Sequence, residues 1–160
     1  MIVRPANPSD ADAIWAILEP IVRGGETFAL PQTMQRQEGL AYWLAPDHTV
    51  FVAEEDGIIV GSYYLRANQK GGGAHVGNAG YMTAGTAIGR GVAQAMCAHS
   101  LEQARLLGFR AMQFNFVICS NEAAVHLWRK FGFATVGRLP KAFLHPTLGY
   151  VDALVMYRSL

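Results

Sequence analysis

Apolar residues fall into two spacings along this chain, and the switch between them sets out the elements. A two-residue spacing predicts strands. These run over Ile2–Arg4, Val50–Glu55, Ile58–Arg66, His75–Thr83 and Ala111–Cys119, with Phe133–Val136 and Tyr150–Tyr157 last. In Ala111–Cys119 the pattern puts Met112, Phe114, Phe116 and Ile118 on one face and Gln113, Asn115 and Val117 on the other. A helical spacing predicts four further segments. Ile14, Ile17 and Leu18 stripe a helix over Ala11–Leu18, capped by Ser9 or Asp10 and limited by Pro20. A second runs Met34–Leu44 and ends at Pro46. The longest, Gly89–Leu107, carries Val92, Ala93, Met96, Cys97, Leu101, Ala104 and Leu107, and Gly108 stops it. The last, Asn121–Phe131, turns Ala124, Leu127, Trp128 and Phe131 inward before Gly132.

Turn chemistry joins these segments. Asp56-Gly57 is a strong hairpin signal. Arg23–Pro31, with Gly24-Gly25, and Asn68–Ala74, with its three consecutive glycines, read as loops. So does the stretch holding Pro140 and Pro146 between the final strands. There is no repeat, low-complexity tract or interdomain linker. Hairpins mixed with strand–helix–strand units predict one mixed sheet flanked by helices, a single domain over residues 1–160.

Composition narrows the partners more than the fold. The 160 residues are 51% hydrophobic and 16% charged, with a net charge of +1. That suits a well-filled core and gives no basic face for nucleic acid. Cys97 and Cys119 lie far apart, with no CxxC and no histidine at ligand spacing. We therefore expect two buried thiols in a reducing cytosol, with neither a disulfide framework nor a metal site. Met1-Ile2-Val3-Arg4-Pro5 lacks the apolar stretch of a signal peptide. No run approaches the roughly 20 apolar residues needed to span a bilayer. The expectation is a cytoplasmic protein with no membrane partner.

The candidate chemistry starts where His75–Thr83 passes through Ala84-Gly85-Thr86-Ala87 into Ile88-Gly89-Arg90-Gly91-Val92-Ala93. Small residues there let an anion approach the backbone and the free N–H groups of a helix start. Arg90 can add a surface ion pair. The same glycines also fit a plain tight connection. No Lys-Ser/Thr follows them, and the full GxGxxG pattern is absent.

Two blocks together resemble the GNAT (GCN5-related) N-acetyltransferase family. Ile88-Gly89-Arg90-Gly91-Val92-Ala93, with Ala104-Arg105 and Gly108-Phe109 downstream, is similar to its acyl-CoA signature, Arg/Gln-x-x-Gly-x-Gly/Ala. Asn121-Glu122-Ala123-Ala124-Val125-His126-Leu127-Trp128-Arg129-Lys130-Phe131-Gly132-Phe133 is similar to N-x-x-A-x-x-L-Y-x-x-x-G-F. The spacing of the blocks and the order of elements also fit, over essentially the whole chain. The resemblance implies an α/β (α+β) fold: a mixed, mostly antiparallel twisted sheet of about seven strands, flanked by about four helices and splayed at the acetyl-CoA site. It implies acetyl-CoA as co-substrate, with Tyr81, Met82 and Thr83 holding the pantetheine arm as an added strand would. Amides from Gly89 through Arg90, Gly91, Val92 and Ala93 to Gln94 would hold the pyrophosphate. Asn121 would contact pantetheine, and Trp128 would pack beside the thioester. It further implies a homodimer through the final strands, to which the apolar Leu154–Met156 segment is suited.

Two positions depart from the family pattern. Ile88 stands where a polar residue is usual, leaving the amides alone to bind phosphate. Trp128 stands where a Tyr is often assigned to protonate the leaving thiolate, and an indole N–H is no acid. A thiol near pKa 8.5 leaves without one.

A finer likeness concerns the acceptor. Glu26-Thr27-Phe28 with Pro31 resembles the substrate loop of phosphinothricin acetyltransferases. Asn78, Asn115 and Asn121, with Phe114-Asn115-Phe116-Val117, resemble the branch acting on proline analogues such as azetidine-2-carboxylate. Both imply a small amino-acid-like amine, with Glu26 and Phe28 in its site. Acetyl transfer needs a neutral amine and donors for the oxyanion. Asn78 and Asn115 are the catalytic candidates, as oxyanion donors or substrate orienters; capping of backbone near a bulge is the plainer alternative. Glu26 fits a base, an ammonium partner or a solvated loop carboxylate. His75, Arg138 and Lys141 are weaker candidates, for a proton relay and for a substrate carboxylate. A non-catalytic acyl-CoA sensor and a protein N-acetyltransferase are the rival readings.

Overall fold

The computed structural model describes residues 1–160. In chain order the elements are β1 (Ile2–Pro5), α1 (Ala11–Gly24), α2 (Arg36–Trp43), β2 (Thr49–Glu55), β3 (Ile58–Ala67), β4 (Val76–Thr83), α3 (Val92–Leu106), β5 (Ala111–Ile118), α4 (Glu122–Lys130), β6 (Ala134–His145) and β7 (Gly149–Ser159). Seven strands form one sheet in the order β1-β2-β3-β4-β5-β7-β6, antiparallel except at β4–β5. Asp56 and Gly57 both take positive φ (52° and 78°), which is what a two-residue hairpin requires.

β3 is an interior strand of the sheet, next to the central β4, and is buried from Val60 to Leu65. Its side chains alternate between two cores. Tyr63 and Leu65 join Phe51, Met96, Cys97 and Leu101 beneath α3. Tyr64 joins Ile14, Leu18, Val22 and Trp43 beneath α1 and α2. On that second face the Trp43 indole donates to Ser62 Oγ (2.9 Å), which donates to the Phe51 carbonyl (2.7 Å). The buried polar atoms are thereby satisfied, and α2 is fixed to the sheet.

Five local expectations need correcting. α1 runs through Pro20 to Gly24, because Val22 extends the apolar stripe and is itself buried; Gly25, at φ 67°, closes the helix. Neither Ser9 nor Asp10 caps it. Asn7 caps the preceding 3-10 turn, and Asp10 accepts two bonds from Arg4 (2.9 and 3.0 Å) and one from the Asn7 N–H. In β5 a bulge lies between Phe114 and Val117, so strict alternation fails. Val117 joins Phe114 in the core, and Phe116 is exposed. β6 is a single strand through Pro140, tolerated because β6 is an edge and is bulged between Leu139 and Phe143. Lys141 there takes φ 50° and donates its N–H to Asp152 Oδ1 (2.9 Å). Finally, Cys119 is only half-buried, unlike Cys97. No helix is long and apolar enough to cross a membrane.

Arg4 ties β1 to both Glu54 on β2 and Asp10 at the start of α1. Its hydrogen bonds hold the buried Asp10 carboxyl below its ordinary value of 3.8. The resulting stabilisation is complete above that value and is lost as pH falls through the folded pKa. Melting temperature measured against pH should therefore fall steeply for the wild type below about pH 4. Asp10→Asn should melt lower at pH 7 and show a flatter acid limb; an unchanged limb would remove Asp10 from that role.

Candidate functional site

β4 and β5 pair only at Val76↔Ala111 and Gly77↔Met112, and then diverge. Ala84 N–H bonds the Val60 carbonyl and Asn68 N–H bonds the Val76 carbonyl, so even-numbered residues of β4 make the ladder to β3. By alternation, the main-chain groups of Ala79, Tyr81 and Thr83 face the opening. They form a strand edge inside the sheet, with no strand opposite. A groove of about 980 Å³ occupies this opening, bounded by α3 and α4 and reaching the loop after α1.

At one end lies the glycine turn. Gly89 and Gly91 take φ 81° and 80°, and a Cβ at either would meet nothing. The need for glycine here is therefore conformational, not spatial. Arg90 N–H bonds the Ala87 carbonyl and Ala95 N–H bonds the Gly91 carbonyl. Between them, the N–H groups of Gly91, Val92, Ala93 and Gln94 have no main-chain acceptor. α3 begins at Val92, so these are the first free donors of a helix whose dipole favours an anion. Gly89, Gly91, Val92, Ala93 and Gln94 all line the groove. Arg90 does not: it turns away to pair with Glu55.

Along the middle, Tyr81 and Thr83 present backbone to the opening. Met82 does otherwise: its main chain belongs to the β3 ladder and its side chain is 3% exposed beneath α1. Trp128 packs on Tyr81 (4.8 Å between centroids) and Phe114 (4.9 Å), forming part of the wall. The Tyr81 hydroxyl is bonded to Ser100 Oγ (2.7 Å) and burial pushes its pKa well up, so it is no substitute acid. Asn121 accepts the Ala124 N–H (3.2 Å) as the cap of α4, leaving its amide NH₂ for the groove.

At the other end the asparagines form a network across the point of divergence. Asn78, 7% exposed, donates to the Gln113 carbonyl (2.9 Å) and accepts from Arg66 Nε (3.2 Å). Asn115 donates to Asn68 Oδ1 (2.7 Å) and accepts from Gln113 Nε2 (2.9 Å). Each retains one N–H and lines the groove. Phe28 lines it too, packed on Trp43 (6.0 Å). Glu26 does not; its side chain is 62% exposed and faces His145 Nε2 at 4.0 Å. His75 is exposed, and Arg138 and Lys141 bond Asp152; none of the three borders the groove.

Sequence reasoning missed Arg66, Tyr42 and Tyr64, which complete this end. The two tyrosine hydroxyls are 3.1 Å apart. Tyr64 lies across Gly80, where a Cβ would come within 2.5 Å of its ring. A glycine in mid-strand was thus the signal for a ring lying on it. A single arginine near a strand end carried no signal.

A profile of the acetyltransferase (GNAT) family matches residues 12–133. A GCN5-related N-acetyltransferase from Kribbella flavida is 40% identical, with TM-score 0.95, over 99% of this chain and 97% of that one. N-acetyltransferase aca1 of Schizosaccharomyces pombe is 27% identical over 69% of this chain, and the chain spans 54% of that protein. The fold is also that of a phosphinothricin acetyltransferase from Sinorhizobium meliloti in complex with AcCoA, 20% identical, with TM-score 0.86, over 99% and 88% of the two chains.

Gly91→Ala forces a left-handed backbone on a residue with a Cβ, at about 1–2 kcal/mol. It should weaken coenzyme A binding at least about tenfold by isothermal titration calorimetry, through disordering of the four donors. Arg90→Ala should leave that affinity within about twofold, because its partner is Glu55. Equal losses in the two variants would overturn this division.

Proposed function

The chain belongs to the acetyltransferase (GNAT) family, and from that premise we propose that it transfers acetyl from acetyl-CoA to the amine of a small amino-acid-like acceptor. One observation carries the reading: a groove that joins four free helix-start N–H groups to an unpaired strand edge and then to a closed polar end. The pyrophosphate lies on the amides of Gly91 to Gln94. The pantetheine arm pairs with the free edge at Tyr81 and Thr83, and Asn121 meets it from α4. The thioester then reaches Trp128 and the asparagine network. The acceptor enters beside Phe28, Tyr42 and Tyr64 and attacks the thioester carbonyl directly, with no acyl-enzyme. An amide donor aimed at the oxyanion is worth about 3 kcal/mol, and Asn78 and Asn115 each keep an N–H for that task or for holding the acceptor.

Proton transfer follows from what lines the groove. No Asp or Glu does, and its one histidine, His126, is an exposed residue of α4. The cation of Arg66 disfavours an ammonium nearby. The acceptor therefore gives its proton to solvent and reacts as the free amine, and the thiolate leaves without a residue acid. The one domain spans residues 1–160. Its free thiols suit the reducing cytoplasm.

The active form we propose is a homodimer through the final hairpin. Leu154 and Met156 cannot supply its surface, since both are buried in the core. Val136, Leu144, Leu148 and Tyr150 are 60–67% exposed on that hairpin and can. Trp128 at the family's Tyr position favours a second reading, an acyl-CoA sensor without turnover.

A thiol-release screen over amino acids, imino acids, phosphinothricin-like compounds and polyamines separates the two, since a sensor binds acetyl-CoA and releases none. For an active acceptor, kcat/KM should rise with pH and level at the pKa of that amine. Two acceptors whose amine pKa values differ should level at correspondingly different pH. A common inflection near 6–7 for both would instead reveal an enzyme base.

A further inference from the structure

Arg66 is a cation without a counter-ion. Arg4, Arg23, Arg36, Arg90 and Arg138 each pair with a carboxylate; Arg66, Arg105, Arg110, Arg129 and Arg158 do not, and of all the arginines only the half-buried Arg66 lines the groove. It lines the groove at the acceptor end, where no Asp or Glu is present. Its Nε is committed to Asn78 Oδ1 (3.2 Å), and Asn78 is anchored in turn to the Gln113 carbonyl of β5 (2.9 Å). Its positive charge also opposes the upward shift that burial imposes on the nearby Tyr64 phenol. Nε is thus its one committed donor. The Nη groups remain, and two parallel N–H donors match a carboxylate in geometry and charge.

We propose that Arg66 is the specificity residue of the acceptor subsite, reading the free carboxylate of an amino or imino acid. Asn78 is a positioning residue that acts through it. The inference rests on the acetyltransferase reading and narrows its substrate. Beside the asparagines and Thr27, the wall of the subsite is apolar or aromatic: Ile21, Phe28, Leu30, Tyr42 and Tyr64. The acceptor is accordingly an anion at one end, with a small uncharged body against those rings. Polyamines and lysine side chains are disfavoured, because a second cation would meet Arg66 with nothing to neutralise it. This also gives the buried Asn78 a second purpose: its Oδ1 orients the arginine, while its remaining N–H stays available to the groove.

The test pairs each active amino acid with its carboxamide, with rates expressed per free amine so that the lower amine pKa of the carboxamide cancels. The wild type should favour the acid in kcat/KM by about tenfold or more, the worth of one charge-assisted bidentate contact. Arg66→Gln should bring that ratio close to one, mainly through KM for the acid, with the KM for acetyl-CoA unchanged. Arg66→Lys should restore part of the preference. Asn78→Ala should raise KM for the acid more than for the carboxamide, whereas a purely structural role would impair both equally. Retained acetyl-CoA binding by calorimetry certifies that each variant is folded, and Arg66→Lys carries the comparison should Arg66→Gln fail that check. A wild type that acetylates acid and carboxamide alike, or a preference that survives Arg66→Gln, overturns the proposal while leaving the acetyltransferase reading intact. No turnover of any amine overturns that reading and this one together.

Discussion

Two residue pairs hold β4 to β5, and the function depends on there being no more. A strand in mid-sheet ordinarily satisfies both its edges. Here Ala79, Tyr81 and Thr83 turn main-chain donors and acceptors toward a gap, where a ligand with its own amide groups can replace the missing strand. A pantetheine arm has two such amides. The bulge in β5 belongs to the same constraint. It lets β5 lean away from β4 while Val117 and Phe114 stay in the core, so the sheet opens without losing its hydrophobic floor.

The two ends of the groove follow from where β4 leads. Its C-terminal end passes through a 3-10 turn into the glycines and the unpaired donors of α3. Toward its N-terminal end, Asn78 stands where the strands part and bonds to both β5 and β3. One strand thus carries the cofactor edge and the asparagine that holds Arg66. Tyr64 closes the acceptor end from β3, and Gly80 leaves room for its ring.

Most of the fold was legible because its signals were local. The Asp56-Gly57 hairpin, the stripe of α3 and the two signature blocks needed no knowledge of distant partners. The failures share one cause, a local rule overridden by tertiary packing. Burial of Val22 carried α1 past Pro20, and an edge position let β6 run through Pro140. The amide cradle could be read because glycine reports its own backbone conformation. The partner of Arg90 could not be named, and Arg66 went unseen, because a long side chain can reach several neighbours and only the fold decides which. Glu55 claims the first and Asn78 the second.

The interruption of β6 has a bearing on how copies of this chain meet. The outer edge of an open sheet invites another strand to add to it, without limit. Pro140 has no N–H to offer such a strand, and Lys141 has already given its own to Asp152. The longest edge of the molecule is therefore broken at its middle. A neighbour can bury Val136, Leu144 or Tyr150, but it cannot zip along the backbone, so association here stays a matter of matched side chains and stops short of a growing fibre.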